Sequence, residues 1–309
     1  MFTKTLAAVT FAASLAACVQ QTDAPTSMKD AIPTADQVQI KLPGSAQRAG
    51  GTPAEWYVAT RNVTRMFNGG ASWVLVLVHT IVQFPVTTVN GDVYTWGPWS
   101  DALAPAEYKL DVRDVGDGTY EYKLSGRSKT QANSQFEVVI DGKADPRPGE
   151  LKGSGQFLLD FDAGRRVNPI DAGSERGTVT ATYDLAARHL GLDIDSIDDR
   201  GQPVNAEYAY NETADGGGDM TFNVNGNAGG TTAEEKITLR SRWLNTGVGR
   251  ADARLSGGDL AATVVTASEC WDTTFARVYY HDSAMFAPNV GLETACASQF
   301  ATQDLPPVK

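Results

Sequence analysis

The sequence is poor in the residues that most often carry chemistry. It holds three cysteines and three histidines in 309 residues, and His79, His189 and His281 lie far apart. Nothing in that spacing suggests a metal centre or a general base, and His79, set in an apolar run, reads as a core histidine. The serine-bearing stretches Gly153-Ser154-Gly155 and Ser256-Gly257-Gly258 miss the Gly-x-Ser-x-Gly pattern of a nucleophile elbow; they read as glycines at strand bends. Positive charge is also scarce: 26 basic residues against 37 acidic ones leave a formal net charge of -11. Phosphate backbones are gripped by clustered Lys and Arg, so nucleic acid is excluded as a partner, and anionic lipid heads are poor ones for the body of the chain. Beyond the first eighteen residues no apolar stretch reaches the roughly 20 residues of a membrane-spanning helix. With no catalytic signature, the expectation is a protein that is not an enzyme, with no catalytic residues, no cofactor and no bound metal.

What is present begins at Lys4. One cation is followed by an apolar, small-residue run from Thr5 to Ala17, ending Leu15-Ala16-Ala17-Cys18. The run has the length of a signal-peptide core. Its ending resembles the lipobox of bacterial lipoproteins, in which the thiol is acylated and cleavage leaves Cys at the new N-terminus. That resemblance implies residues 1–17 as signal peptide, Cys18 as the lipidated first residue, and, with Val19 rather than Asp following, an outer-membrane address. Several acyl chains at one point make a stable anchor where one would bind only marginally.

Residues 18–51 have the Gln, Thr, Ala, Pro and Ser content of a flexible tether, within which 37–42 alternates and could add a short strand. One β-rich domain is expected over 52–309. Its helical part, 53–84, opens at Pro53 with Thr52 as cap. Trp56, Ala59, Val63, Met66 and Phe67 keep helical spacing up to Asn68-Gly69-Gly70. The run 71–84 is rich in β-branched residues yet keeps Trp73, Leu77, Ile81 and Phe84 at helical spacing; a second helix stopped by Pro85 is expected. Trp96-Gly97-Pro98-Trp99 is expected in a loop, sealing one end of a β structure or forming a ligand-stacking lip.

From Ala106 onward the period is two. Tyr108, Leu110 and Val112 alternate with charged residues, Gly116-Asp117-Gly118 turns the chain, and Tyr120, Tyr122 and Leu124 return. About a dozen such strands follow one another with short Gly- or Asp-bearing links. That pattern predicts a mainly β fold: a large antiparallel meander curled into a barrel or half-barrel, with one or two N-terminal helices packed against it. A curled sheet leaves a concave apolar side for the helices or for an apolar ligand to fill. The tyrosines at 120, 122, 183, 208, 210, 279 and 280 fall on strands, and sequence alone does not say which face each takes.

Cys270 and Cys296 remain once Cys18 is set aside. In an oxidising compartment an even pair is most simply a disulfide; the alternative, a two-Cys metal site, has only His281 nearby. Asp193, Asp195, Asp198 and Asp199 form the densest acidic cluster, without the spacing or terminal Glu of a twelve-residue calcium loop. A solvated hairpin tip is the expectation, calcium the minor alternative. Asp160 and Asp162, read as alternating on one strand face, are the weak basis for a glycan-active enzyme.

Glu269-Cys270-Trp271-Asp272 running into Tyr279-Tyr280, together with Trp96-Gly97-Pro98-Trp99-Ser100-Asp101-Ala102-Leu103, resembles a family of uncharacterised predicted bacterial lipoproteins. The resemblance implies a lipid-anchored envelope protein and transfers no site residues. The expected partners are the membrane, through the N-terminal anchor, and an apolar ligand or an envelope protein.

Overall fold

The computed structural model describes residues 23–32, 34, 37, 39–42, 52–70, 72–149, 152–197, 201, 203–226, 233–260 and 263–305. The expected signal segment, Cys18, Asp198 and Asp199 lie outside the described residues. Among those described, fourteen strands form one sheet in strict sequence order, every neighbouring pair antiparallel. They are β1 Thr88–Asn90, β2 Val93–Trp99, β3 Ala106–Asp114, β4 Tyr120–Ser128, β5 Glu137–Asp145, β6 Ser154–Asp160 and β7 Thr178–Asp184. The second half comprises β8 His189–Ile197, β9 Pro203–Glu212, β10 Gly218–Gly226, β11 Glu235–Trp243, β12 Gly249–Gly257, β13 Val265–Trp271 and β14 Arg277–Asp282. β1 and β14 do not pair, so the sheet is open rather than a closed barrel. A curled half-barrel fits the way one face wraps a single buried core.

The expected two-residue period sets that face. Leu110 and Val112 of β3, Tyr120 and Tyr122 of β4, Phe157 and Leu159 of β6, and Leu190 and Leu192 of β8 are all buried. Fully burying a large apolar side chain is worth about 1.5–3 kcal/mol, so a one-residue slip in register would forfeit the core.

A second regularity concerns glycine. Of the aromatic–glycine register pairs between neighbouring strands, five bring the aromatic ring over the glycine: Tyr108 on Gly126, Tyr122 on Gly142, Tyr183 on Gly155, Trp243 on Gly218 and Trp271 on Gly249. Each ring lies over the spot a side chain would occupy. A Cβ on Gly142 would come within 2.2 Å of Tyr122 Cζ, and one on Gly218 within 2.2 Å of Trp243 Cζ2. Such pairs let a sheet bend inward while the ring shields backbone that glycine leaves bare.

Among the described residues four α-helices accompany the sheet: α1 Thr26–Asp30, α2 Glu55–Gly70, α3 Ser72–Val82 and α4 Phe161–Val167. Both expected N-terminal helices are present, but the buried line of α2 is not its apolar stripe. Thr60 and Thr64 are buried, while Trp56, Ala59 and Val63 are half-buried beside them. Thr60 Oγ1 donates to Ser241 Oγ on β11 (2.8 Å), and Thr64 Oγ1 to the Thr60 carbonyl of its own helix (2.9 Å); small hydroxyls let the helix approach the sheet with their polarity satisfied.

Three expectations require correction. The stretch taken for a flexible tether is, where described, packed on the body: Met28, Ile32 and Ile40 are buried in the common core. Ile40 is held at both backbone groups by the Asn68 side chain, each bond 2.9 Å, in place of a sheet neighbour. Polar composition hid three apolar residues that find a site. The Trp96–Trp99 segment is the end of β2, with a register shift inside it, rather than a loop, and strands start at residue 88, before Ala106. Near a sheet edge a strand tolerates Gly-Pro. Phe161 and Asp162 belong to α4 and not to a strand.

Candidate functional site

From β3 onward the strands are joined by links of at most 8 residues, with one exception. Between β6 and β7, residues 161–177 fold into α4 and an ordered return. Asp160 Oδ1 accepts the amide of Ala163 (2.8 Å) and caps α4. Asn168 exchanges two 3.1 Å bonds with Asp171, taking its amide and donating to its carboxylate. Arg165 Nη1 donates to the Gly173 carbonyl (2.6 Å), and Gly177 N to Asp162 Oδ2 (3.2 Å). Ala163 and Val167 are buried beneath the helix. Gly126 permits that approach, since a Cβ there would sit 2.5 Å from Val167 Cγ1.

This flap and the sheet beneath it line a cavity of about 410 Å³. Its floor is Tyr108, Leu124, Ile140 and Leu159 of the sheet; Leu77 of α3, Trp99 and Phe161 complete the apolar walls. Asp160, Arg165, Asn168, Asp171 and Glu175 stand at the rim. Burial pushes the Tyr108 phenol above its ordinary pKa, only partly opposed by its bond to Asn168, so it faces the cavity as a neutral hydroxyl. An apolar chamber with a few polar groups at its lip is the usual form of a small-molecule site.

A second cavity, of about 440 Å³ at the β7–β11 end, mixes Ile194, Ala206, Val224 and Ile237 with Asp193, Glu207, Asn223 and Lys236; elsewhere helix and sheet are locked together. Glu269, wholly buried on β13, accepts the amides of Glu55 (3.0 Å) and Trp56 (2.6 Å) at the start of α2. Arg277 on β14 donates to it at 2.5 Å and reaches Glu55 at 3.1 Å. A carboxylate on a helix N-terminus satisfies orphan amides and meets the positive end of the dipole. Burial nonetheless raises the Glu269 pKa, against the pull of the Trp56 amide and Arg277. Tyr57 stacks on Phe275 with ring centres 4.3 Å apart.

The cysteine pair is a disulfide, Cys270 to Cys296. It pins a C-terminal segment across β11 and β12, where wholly buried Arg250 binds Asp252 (2.8 Å), the Phe300 carbonyl (3.0 Å) and Glu293 (2.7 Å). The two tryptophans that flank Gly97-Pro98 sit in different surroundings. Trp96 is buried and donates to the Phe84 carbonyl (2.8 Å), sealing the core, whereas Trp99 lines the cavity. Of the tyrosines, 120, 122, 183 and 210 are buried among the core residues. Tyr208 is half-buried against Phe222, 4.6 Å away. Tyr280 is buried and bonds Asp282, while Tyr279 lies near Arg250.

The remaining candidates are not gathered. His79 is half-buried, its Nδ1–H donating to the Ile32 carbonyl (3.1 Å); His189 meets Asn211 (2.9 Å), and His281 is exposed. Asp193 and Asp195 are exposed on β8, and among the described residues no group of three His, Cys, Asp or Glu is placed to hold a metal ion. Asp160 and Asp162 build the flap rather than share a strand face. The sequence reading missed the flap, although Asp160 as a cap and Asn168-Pro169 as a stop were available signals.

Fold and site together define a class: an open antiparallel meander, packed by its own N-terminal helices, with an apolar cavity beneath a flap. Compared with protein-family models, curated proteins and solved structures, the chain has no match.

Proposed function

We propose that this is a lipid-anchored envelope protein, held through Cys18, whose curled sheet carries a small apolar ligand in the cavity beneath the 161–177 flap. The observation that carries the reading is an apolar lining under the longest link of the meander. About 410 Å³ is lined by Leu124, Ile140, Leu159 and Phe161 and bounded by the 161–177 flap, whereas the cavity at the β7–β11 end is lined largely by polar and charged residues. Long ordered links on a rigid scaffold are where binding function concentrates. The lipobox resemblance supplies the anchor, and no helix among the described residues is long and apolar enough to cross a membrane.

Native mass spectrometry of the body from residue 19 onward, exported without its anchor and compared before and after lipid extraction, tests the ligand. A removable adduct of lipid mass is expected. A second reading, a self-plugged structural protein, draws on the burial of Met28, Val78 and Val82 in the core of the concave side; a clean, unadducted mass would favour it. The anchor is tested separately: Cys18→Ala should release the protein from membranes on fractionation.

A further inference from the structure

We propose that the cavity selects a single-chain amphiphile whose head donates hydrogen bonds and bears no negative charge, such as an ammonium or a hydroxyl. The proposal rests on the cavity being the ligand site and adds what the rim demands of the ligand's polar end.

The rim carries three carboxylates, Asp160, Asp171 and Glu175, against one guanidinium, Arg165. Arg165 is engaged, donating to the Gly173 carbonyl at 2.6 Å. The other two cations of the flap face elsewhere: Arg166 pairs with Glu137 on β5 (2.8 Å), and Arg176 donates to the Ser174 and Glu175 carbonyls. Asp171 and Glu175 are exposed at the mouth and make no ion pair among the described residues. Ionised carboxylates only accept hydrogen bonds, so a head seated there is best matched by a donor. An anionic head would meet like charge beside an apolar chamber, where the field is less screened than in water and repulsion is correspondingly costly. The chamber itself lies near the small end of the roughly 300–1,000 Å³ that ligand pockets span. That volume suits one chain rather than the two of a phospholipid.

The test uses three probes that share a chain and differ in head: dodecylamine, dodecan-1-ol and dodecanoate. Each is titrated below its micelle concentration, near neutral pH, into the delipidated full-length Cys18→Ala chain, with tryptophan fluorescence as the signal. Trp99 is the reporter, and Trp99→Phe should remove the response. Amine and alcohol are expected to bind, with dodecanoate about tenfold weaker or more. In Asp171→Asn/Glu175→Gln the amine and dodecanoate should converge, while the alcohol is unchanged. Leu159→Trp, which fills the chamber, should abolish all three. Dodecanoate binding as tightly as the amine would overturn the head selectivity and leave the cavity reading standing. No saturable response to any probe would overturn the cavity reading itself. Amine binding that survives Leu159→Trp would mark adsorption to an acidic surface and overturn the proposal.

Discussion

At the scale of single residues the most demanding contacts are those in which a ring covers a glycine. Gly142→Ala would drive a methyl into the Tyr122 ring, whose nearest atoms would stand 2.2–2.6 Å away. Overpacking of this kind costs about 1–3 kcal/mol, readable as a lower urea midpoint. In a Tyr122→Leu background most of that cost should vanish, giving a coupling of about 1–2 kcal/mol in the double-mutant cycle. The hydroxyls behave differently. Tyr122 and Tyr183 are buried, and neither phenol oxygen has a hydrogen-bond partner among the described residues; burial raises both pKa values. An unpaired buried hydroxyl costs free energy, so Tyr122→Phe and Tyr183→Phe should be neutral or stabilising by up to about 1 kcal/mol in the same assay. These pairs are where sequence runs out. Asp141-Gly142 reads as the end of a strand, because glycine and aspartate are turn residues. Its real partner lies twenty positions back and is fixed only by register.

At the scale of elements, the N-terminal helices and the C-terminal strands hold one another. Glu269→Ala would strip two helix amides of their acceptor and leave the half-buried Arg277 without its main partner. Breaking a buried pair in this way costs about 3–5 kcal/mol. Glu269→Gln, which keeps an acceptor, should cost less, and hydrogen exchange should localise the early loss to the first turn of α2. The disulfide closes a loop of 26 residues. Its removal in Cys270→Ala/Cys296→Ala should cost about 3–4 kcal/mol in the chain-entropy account, and raise exchange over 297–305, where Asp304 otherwise pairs with Arg240 (2.5 Å).

Strand after strand of the meander was legible because alternation and a glycine turn suffice to specify a hairpin. The parts that were not legible depend on a partner elsewhere in the chain. Thr60 and Thr64 form the inner line of α2 because Ser241 receives one of them, and α1 exists because the core accepts Met28. The cavity was inferred only as a concave side to be filled. The flap that bounds it breaks the two-residue period, and a period cannot announce its own interruption.

At the scale of the whole molecule, stability should fall in acid. Asp282 shows why: burial pushes its carboxyl up, but the amides of Phe286, Ala287 and Ala284 and the Tyr280 hydroxyl outweigh burial and hold it below the usual 3.8. Asp272 is held low in the same manner by Thr274 and Ala276. Asp117 and Asp215 in turns, and Asp145 at the end of β5, are lowered by Thr119, Thr213 and Arg147 respectively. For a lowered carboxyl the unfolded chain takes up protons first. Its contribution is therefore present above the unfolded value and lost as pH falls through the folded one. Glu269, raised by burial, has the opposite sign and gains as pH falls toward the ordinary 4.5. Five lowered groups against one raised group predict a lower urea midpoint at about pH 3 than at about pH 6, and Asp282→Asn should shrink that difference.

The capping of α2 by Glu269 also sets an order of events. Every described strand pairs with its neighbour in sequence, so the sheet can grow hairpin by hairpin. The helix cannot finish with the first hairpins, because the carboxylate that closes its first turn lies 213 residues downstream of Trp56. The last act of folding is thus to fetch the beginning of the chain. A chain stopped at Gly257 should carry a protected sheet beside α2 amides that exchange freely; equal protection of both would show that the helix docks without its cap.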